Sequence, residues 1–223
     1  MTQEVPIVVA KFGGTSVADF DAMNRSVDVV LSDSQARVVV LSASAGVTNL
    51  LVALAEGLEA TERFVKLDAI RKIQFDILER LRQPNVIREE IDRLLENITT
   101  LAEAASLATS PALTDELVSH GELMSTLLFV EILRERGVDA QWFDVRKVMR
   151  TSDRFGRAEP DVAALAELVQ QQLAPRLAES LIVTQGFIGS ESKGRTTTLG
   201  RGGSDYTAAL LGEALQADRV DIW

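Results

Sequence analysis

Three short stretches of the chain carry residue types suited to handling anions. Lys11-Phe12-Gly13-Gly14-Thr15-Ser16 directly follows the apolar run Val5-Pro6-Ile7-Val8-Val9-Ala10. The paired glycines let backbone approach an anion closely, a following helix N-terminus offers unpaired N–H groups, and Lys11 adds a full positive charge. Phosphate is the simplest guest; the alternative is a tight turn beside a solvated lysine. Gly200-Arg201-Gly202-Gly203-Ser204-Asp205 sets three glycines in four positions, which is costly unless backbone must approach a ligand or take φ > 0. Arg201 brings a planar fork for a carboxylate or phosphate, and Asp205 could orient a lysine or a metal ion. Ser119-His120-Gly121-Glu122 lies within a long helical pattern, where glycine costs about 1 kcal/mol relative to alanine. Something therefore comes close at that point. Glu122 could accept a substrate ammonium or pair with a nearby arginine, and His120, the only histidine, is the obvious general-base candidate. The Walker pattern Gly-x-x-x-x-Gly-Lys-Ser/Thr is absent from the chain.

The elements that must position these stretches follow from periodicity. Val5–Ala10 reads as a buried strand, and Asp19 as the N-cap of a helix to about Leu31 with Phe20, Met23, Val27, Val30 and Leu31 on one face. Arg37–Ser42 is a second buried strand, ending in the small-residue loop Ser42–Asn49 before a helix from Leu50 to Leu58. Strand, small-residue loop and helix thus occur twice, the βαβ pattern of a parallel sheet with its working loops at the strand C-termini. The middle of the chain is helical. Phe64, Leu67, Ile70, Ile73, Ile77 and Leu81 form one stripe, Pro84 interrupts it, and Ile87, Ile91, Leu94, Leu95, Ile98 and Leu101 form the next, as in an antiparallel helical hairpin. Glu89, Glu90, Asp92 and Arg93 read as its solvated faces. After Ser110-Pro111 a long helix is expected from about Thr114 to Arg136, stopped by Gly137. Then follow a strand at Ala140–Val145, a polar loop, and a helix opened by Pro160 and reaching about Leu173. A strand over Leu181–Gly189, a hairpin over Ser190–Thr198, a helix to about Leu215 and a last strand at Asp218–Trp223 complete the pattern. No repeat or linker divides it, so one domain is the economical expectation.

Composition narrows the function classes. The chain has 223 residues, 46% hydrophobic and 25% charged, with 23 basic and 33 acidic residues for a net charge of −10. This is the make-up of a globular protein, and it disfavours broad attraction to nucleic acid or to anionic lipid. Any anion site must be local. Without cysteine, thiolate chemistry is excluded, and one histidine leaves no histidine cluster for a transition metal; oxygen-ligated Mg²⁺ remains possible. The start carries no signal-peptide pattern, and no run approaches the roughly 20 apolar residues of a membrane span. A cytoplasmic protein is the expectation.

Lys11–Ser16, Ser42-Ala43-Ser44, Ser119–Glu122 and Gly200–Asp205, in this order, resemble the aspartate kinases of the amino-acid kinase family, in particular their lysine-sensitive bacterial class. The similarity covers essentially the whole chain. It implies an α/β, carbamate kinase-like three-layer sandwich with a mainly parallel central sheet and a helical insertion. It also implies ATP- and Mg²⁺-dependent phosphorylation of the L-aspartate β-carboxylate to 4-phospho-L-aspartate, the entry to lysine, threonine and methionine. In such enzymes the lysine matching Lys11 bridges the transferring phosphoryl group, and Gly13 and Gly14 match the phosphate cradle. Glu122 matches the residue that takes the substrate ammonium, and Arg201 the one that takes its α-carboxylate. Ser42, Thr48, Phe187 and Ser204 match the aspartate pocket, and Asp205 matches the residue that organises Lys11. No residue is assigned as a metal ligand.

A carboxylate of ordinary pKa near ~3.9 is already ionised at neutral pH, so this reaction needs no general base and His120 is not required. The family continues into a Thr-Asp-x-x-Gly-x-Tyr segment and a later lysine that hold the nucleotide, then into tandem ACT domains that bind lysine and join subunits. None of these occurs in this sequence, which is therefore expected to be an amino-terminal catalytic portion. Two other readings share the residues: a related kinase with another acceptor, such as glutamate or carbamate, and a catalytically silent module that retains aspartate binding. Glu122 and Arg201 together suit the two charges of an α-amino acid and argue against carbamate.

Overall fold

The computed structural model describes residues 5–200 and 202–223. Along the chain come β1 (Val8–Phe12), α1 (Phe20–Leu31), β2 (Ala36–Leu41), α2 (Val47–Ala55), α3 (Ala60–Leu78), α4 (Asn85–Leu107), α5 (Pro111–Glu135) and β3 (Ala140–Phe143). They are followed by α6 (Val162–Leu168), β4 (Leu181–Gln185), β5 (Ile188–Ser190), β6 (Thr196–Thr198), α7 (Gly203–Leu215) and β7 (Arg219–Ile222). Five strands form one parallel sheet in the order β3-β4-β2-β1-β7. The chain thus steps outward from β1 to β2 and returns on the other side as β7. Lys11 pairs with Val40 on one flank and Ile222 on the other, and Leu41 pairs with Gln185.

Every residue of β1 and β4 is buried, as continuous apolar runs require when helices cover both faces of a parallel sheet. Phe12 turns toward α5, its ring centroid 6.4 Å from that of Phe129. Lys11, one residue earlier, points to the opposite face, where it meets Asp205 of α7. The layers follow from this alternation: α1 and α5 pack together on one side, α6 and α7 on the other. Helices α2, α3 and α4 stack outside α5 and form the helical insertion. Asp19 caps α1 by accepting from the Ala22 N–H at 2.7 Å, and Ser110 caps α5 by accepting from Leu113 at 3.1 Å, each satisfying a donor that the first helical turn leaves free.

Several expectations shift in three dimensions. The first strand includes Lys11 and Phe12, because pairing on both flanks extends it past the apolar run. Helix α2 starts at Val47, which puts Thr48 in its first turn. Helix α5 begins at Pro111, where Ser110 caps it. Phe64 leaves its stripe and is 70% exposed, whereas Ile70 and Ile77 are buried, because only the later turns of α3 lie over the core. Pro160 does not open α6; it bridges to Thr151, and Asp161 caps the helix by accepting from Ala164 at 3.0 Å. The helix then loosens into a π turn at Val169–Leu173, ahead of Pro175, which can donate no backbone N–H. The strand expected over Leu181–Gly189 divides at Gly186-Phe187: β4 stays in the main sheet and β5 pairs antiparallel with β6. No helix among the described residues is long and apolar enough to cross a membrane.

Candidate active site

The C-terminal ends of β1, β2 and β4, with the N-terminus of α7, surround a cavity of about 470 Å³. Lys11, Ser42, Thr48, Glu122, Phe187, Ser204 and Asp205 all line it, together with Gly200, Gly202 and Gly203. Residues up to 194 positions apart in the sequence therefore share one space. Among the described lining side chains are one cation, Lys11, and two carboxylates, Glu122 and Asp205.

Lys11 is nearly buried and its Nζ lies 2.7 Å from Asp205 Oδ1. Asp205 is 57% exposed, and an ion pair with one such solvated member contributes at most about 1 kcal/mol. The pair therefore orients the lysine rather than holding the fold. Gly13 flanks it: a Cβ there would lie 3.6 Å from Lys11 Nζ. Gly14 faces the neighbouring loop, with its carbonyl accepting from Ala45 N–H at 3.1 Å.

Glu122 forms the opposite wall. Its Oε1 accepts from the Ala43 N–H at 3.2 Å, while Oε2 is buried with no partner among the described residues. Burial pushes the carboxyl up to about 8, against the smaller downward pull of the Glu122 and Ala43 N–H groups. An unpartnered buried oxygen on a residue that lines a cavity is a vacant acceptor for a donor, above all a cationic one. Gly121 explains how α5 comes so close: a Cβ there would sit 2.7 Å from the Ala43 Cβ. The glycine inside the helix thus marks a close approach of helix to loop.

Ser42 is fixed on three sides. Its N–H donates to the Phe12 carbonyl at 3.1 Å, its carbonyl accepts from Ser125 Oγ at 2.7 Å, and its hydroxyl donates to Ser204 Oγ at 3.1 Å. Phe187 sits where β4 gives way to β5 with φ of +78°, a left-handed conformation costly for an aromatic residue. Its N–H donates to Thr207 Oγ1 at 3.0 Å and its carbonyl accepts from Leu199 at 2.9 Å, so the turn is held from both sides. Its ring leaves no room at Gly203, where a Cβ would lie 2.8 Å from Phe187 Cδ2.

Arg201 lies outside the described residues. His120 is elsewhere: it is buried and its Nδ1 donates to the Glu116 carbonyl at 2.8 Å, and it lines a separate cleft with Trp142 and Arg146. Burial pushes its pKa down. Sequence reasoning had no route to Ser125, Thr207 or Asp115, each of which supports the cavity without lining it. Ser125 falls one turn beyond Glu122 in α5, a spacing that in retrospect points to the same helical face.

Residues 6–223 match the amino acid kinase family, and the chain belongs to it. Within that family the likeness is closer still. The chain is 85% identical over 217 residues to lysine-sensitive aspartokinase 3 of Escherichia coli (strain K12), covering 97% of this chain and 48% of that protein. A crystal structure of E. coli aspartokinase III in complex with lysine and aspartate (T-state) superposes with a TM-score of 0.97 at 85% identity, over 97% of this chain and 49% of that one. A second, in complex with aspartate and ADP (R-state), gives the same TM-score and identity over 97% of this chain and 48% of that one. The chain spans about half the length of these relatives.

Proposed function

We propose that this chain carries the aspartate-binding and phosphoryl-facing part of an aspartate kinase, which transfers the γ-phosphoryl group of ATP to the β-carboxylate of L-aspartate and yields 4-phospho-L-aspartate. The observation that carries the reading is the pairing of Lys11 with Glu122 across one cavity, an arrangement able to hold an amino acid by its ammonium while a cation faces its reacting end. The aspartate and ADP bound in a protein 85% identical to this chain support the same assignment.

In this reading the substrate ammonium fills the vacant side of Glu122, at Oε2, and the charged pair replaces a buried neutral acid. Arg201 receives the α-carboxylate, and Ser42, Thr48, Phe187 and Ser204 complete the pocket. The β-carboxylate is already an anion, so no side chain needs to remove a proton. The barrier is the repulsion between two anions, and Lys11, held by Asp205 and flanked by Gly13 and Gly14, lowers it by placing positive charge between nucleophile and γ-phosphate. Mg²⁺ would neutralise phosphate charge. No cluster of three acidic or histidine groups exists among the described residues, so nucleotide phosphates and water would supply most of its oxygens, with Asp205 the exposed carboxylate at hand.

Hydroxylamine traps an acyl phosphate as its hydroxamate, which makes the assignment directly testable. Incubation of the chain extended to the length of its relatives with ATP, Mg²⁺ and L-aspartate is expected to give aspartyl hydroxamate and ADP in equal amounts. L-Glutamate is expected to give none. Calorimetry on the chain should show aspartate binding. Turnover of glutamate at the rate of aspartate would refute the acceptor, and absence of aspartate binding would refute the site.

A further inference from the structure

We infer that Asp115 is a positioning residue for the glycine-rich turn that walls the cavity, acting through Thr198 and Gly156; its consequence for aspartate binding rests on the function proposed above. Asp115 lies in α5 seven residues, about two helical turns, before Glu122 and so on the same face, roughly 10 Å away along the axis. It is 2% exposed, and a carboxylate that far from water persists only where donors replace the solvent. Three do. Oδ2 accepts from the N–H groups of Gly156 and Thr198, both at 2.9 Å, and Oδ1 accepts from Thr198 Oγ1 at 3.0 Å.

Those partners lead straight to the cavity. Thr198 ends β6, two residues before Gly200; its carbonyl accepts from Ala158 at 2.9 Å, which ties the strand to the loop that contains Gly156. The Gly156 carbonyl in turn lies against Gly200, where a Cβ would be only 3.1 Å from that oxygen. Gly200 and Gly202 then carry the hydrogen bonds that start α7, accepting from Gly203 at 3.0 Å and Tyr206 at 3.1 Å. One helix therefore sets both walls: Glu122 directly, and the wall of Gly200, Gly202, Gly203 and Ser204 through the bonds of Asp115. Burial pushes the Asp115 carboxyl up, while its three donors pull it back. Neither the sequence motifs nor the cavity lining includes this residue.

The test is amide hydrogen exchange together with aspartate calorimetry on Asp115→Asn and Thr198→Val. Asparagine keeps an oxygen for the two N–H groups and turns its N–H₂ toward the Thr198 hydroxyl, which can accept, so each bond to a charged acceptor gives way to a weaker neutral one. Loss of the buried charged acceptor predicts exchange at Gly203 and Tyr206 faster by about tenfold or more, and an aspartate Kd weaker by about tenfold. Exchange in β1 and β2 should stay unchanged. Where turnover is measured, KM for aspartate rises while kcat stays within about twofold, as loss of positioning before the chemical step requires. Thr198→Val, which removes only the hydroxyl donor, should give a smaller change of the same pattern, and it decides the question if Asp115→Asn does not fold. Faster exchange confined to Gly156 and Thr198, with Gly203 and Tyr206 unmoved, would overturn the inference, as would an unchanged Kd beside loosened amides. If the parent chain binds no aspartate, the proposed function fails, and exchange at Gly203 and Tyr206 still decides the role of Asp115.

Discussion

Replacement of Glu122 by glutamine separates its charge from its shape. The carboxyl stands at about 8 in the folded chain against an ordinary 4.5, so the folded state binds a proton that the unfolded state has released between those values. Linkage then makes stability greatest below about 4.5 and removes it as pH rises toward 8. At about 1.4 kcal/mol per pH unit, the span amounts to roughly 5 kcal/mol, an upper figure because a buried group relaxes or admits water as it ionises. Glu122→Gln keeps the volume and an acceptor for Ala43 but cannot ionise. Urea unfolding at intervals from pH 4.5 to 9 should show the parent losing several kcal/mol and the variant staying nearly flat, so that the variant becomes the more stable of the two at alkaline pH. An arriving ammonium reverses the preference for the neutral acid. Aspartate binding at pH 7 should therefore release close to one proton from Glu122, and calorimetry in buffers of different ionisation enthalpy counts it. The variant should release none and bind aspartate at least about a hundredfold more weakly, the scale expected when a buried charge pair loses one member. Parallel pH profiles for parent and variant, or proton-free binding by the parent, would refute the argument.

Lys11→Ala should fold normally, since Asp205 is well exposed, yet lose about a hundredfold or more of turnover in the hydroxamate assay, the scale for one preorganised electrostatic group; near-normal turnover would remove Lys11 from the chemistry. Gly121→Ala places a methyl group 2.7 Å from the Ala43 Cβ, and chemical denaturation should show a loss of about 1–3 kcal/mol. Adding Ala43→Gly should restore most of it, a coupling that a purely helical effect of Gly121 would not show. The ring signals of His120, the one histidine, should titrate by NMR below its ordinary 6.5 with the proton on Nδ1, and His120→Gln should leave hydroxamate formation within about threefold if no general base acts. A large loss of kcat with unchanged stability would assign His120 a part in the reaction.

Much of this architecture was written in local patterns. Val8–Ala10, Val38–Leu41 and Leu181–Val183 are apolar throughout, and only strands covered on both faces need that; the small-residue loops that follow them mark where a ligand can enter a parallel sheet. The glycines near Lys11, at 121 and at 200–203 marked places where backbone comes close to something. Of the amino acids named at the outset, Lys11, Ser42, Thr48, Glu122, Phe187, Ser204 and Asp205 line one cavity, whereas Gly13 and Gly14 are not among its lining residues. What the chain's order could not reveal is which neighbour each of them meets. Gly121 serves a helix-to-loop contact with Ala43, and Phe187 lies at a left-handed break that its own propensity opposes. Glu122 is a vacant acceptor only because folding removes water and leaves Oε2 without a partner. Asp115 reads as an ordinary helix acid until Thr198, 83 positions later, folds back onto it. Periodicity and glycine placement are properties of short segments and survive in the sequence, whereas burial, partner choice and the electrostatics that follow arise from segments far apart in the chain. Those are decided only when the sheet assembles.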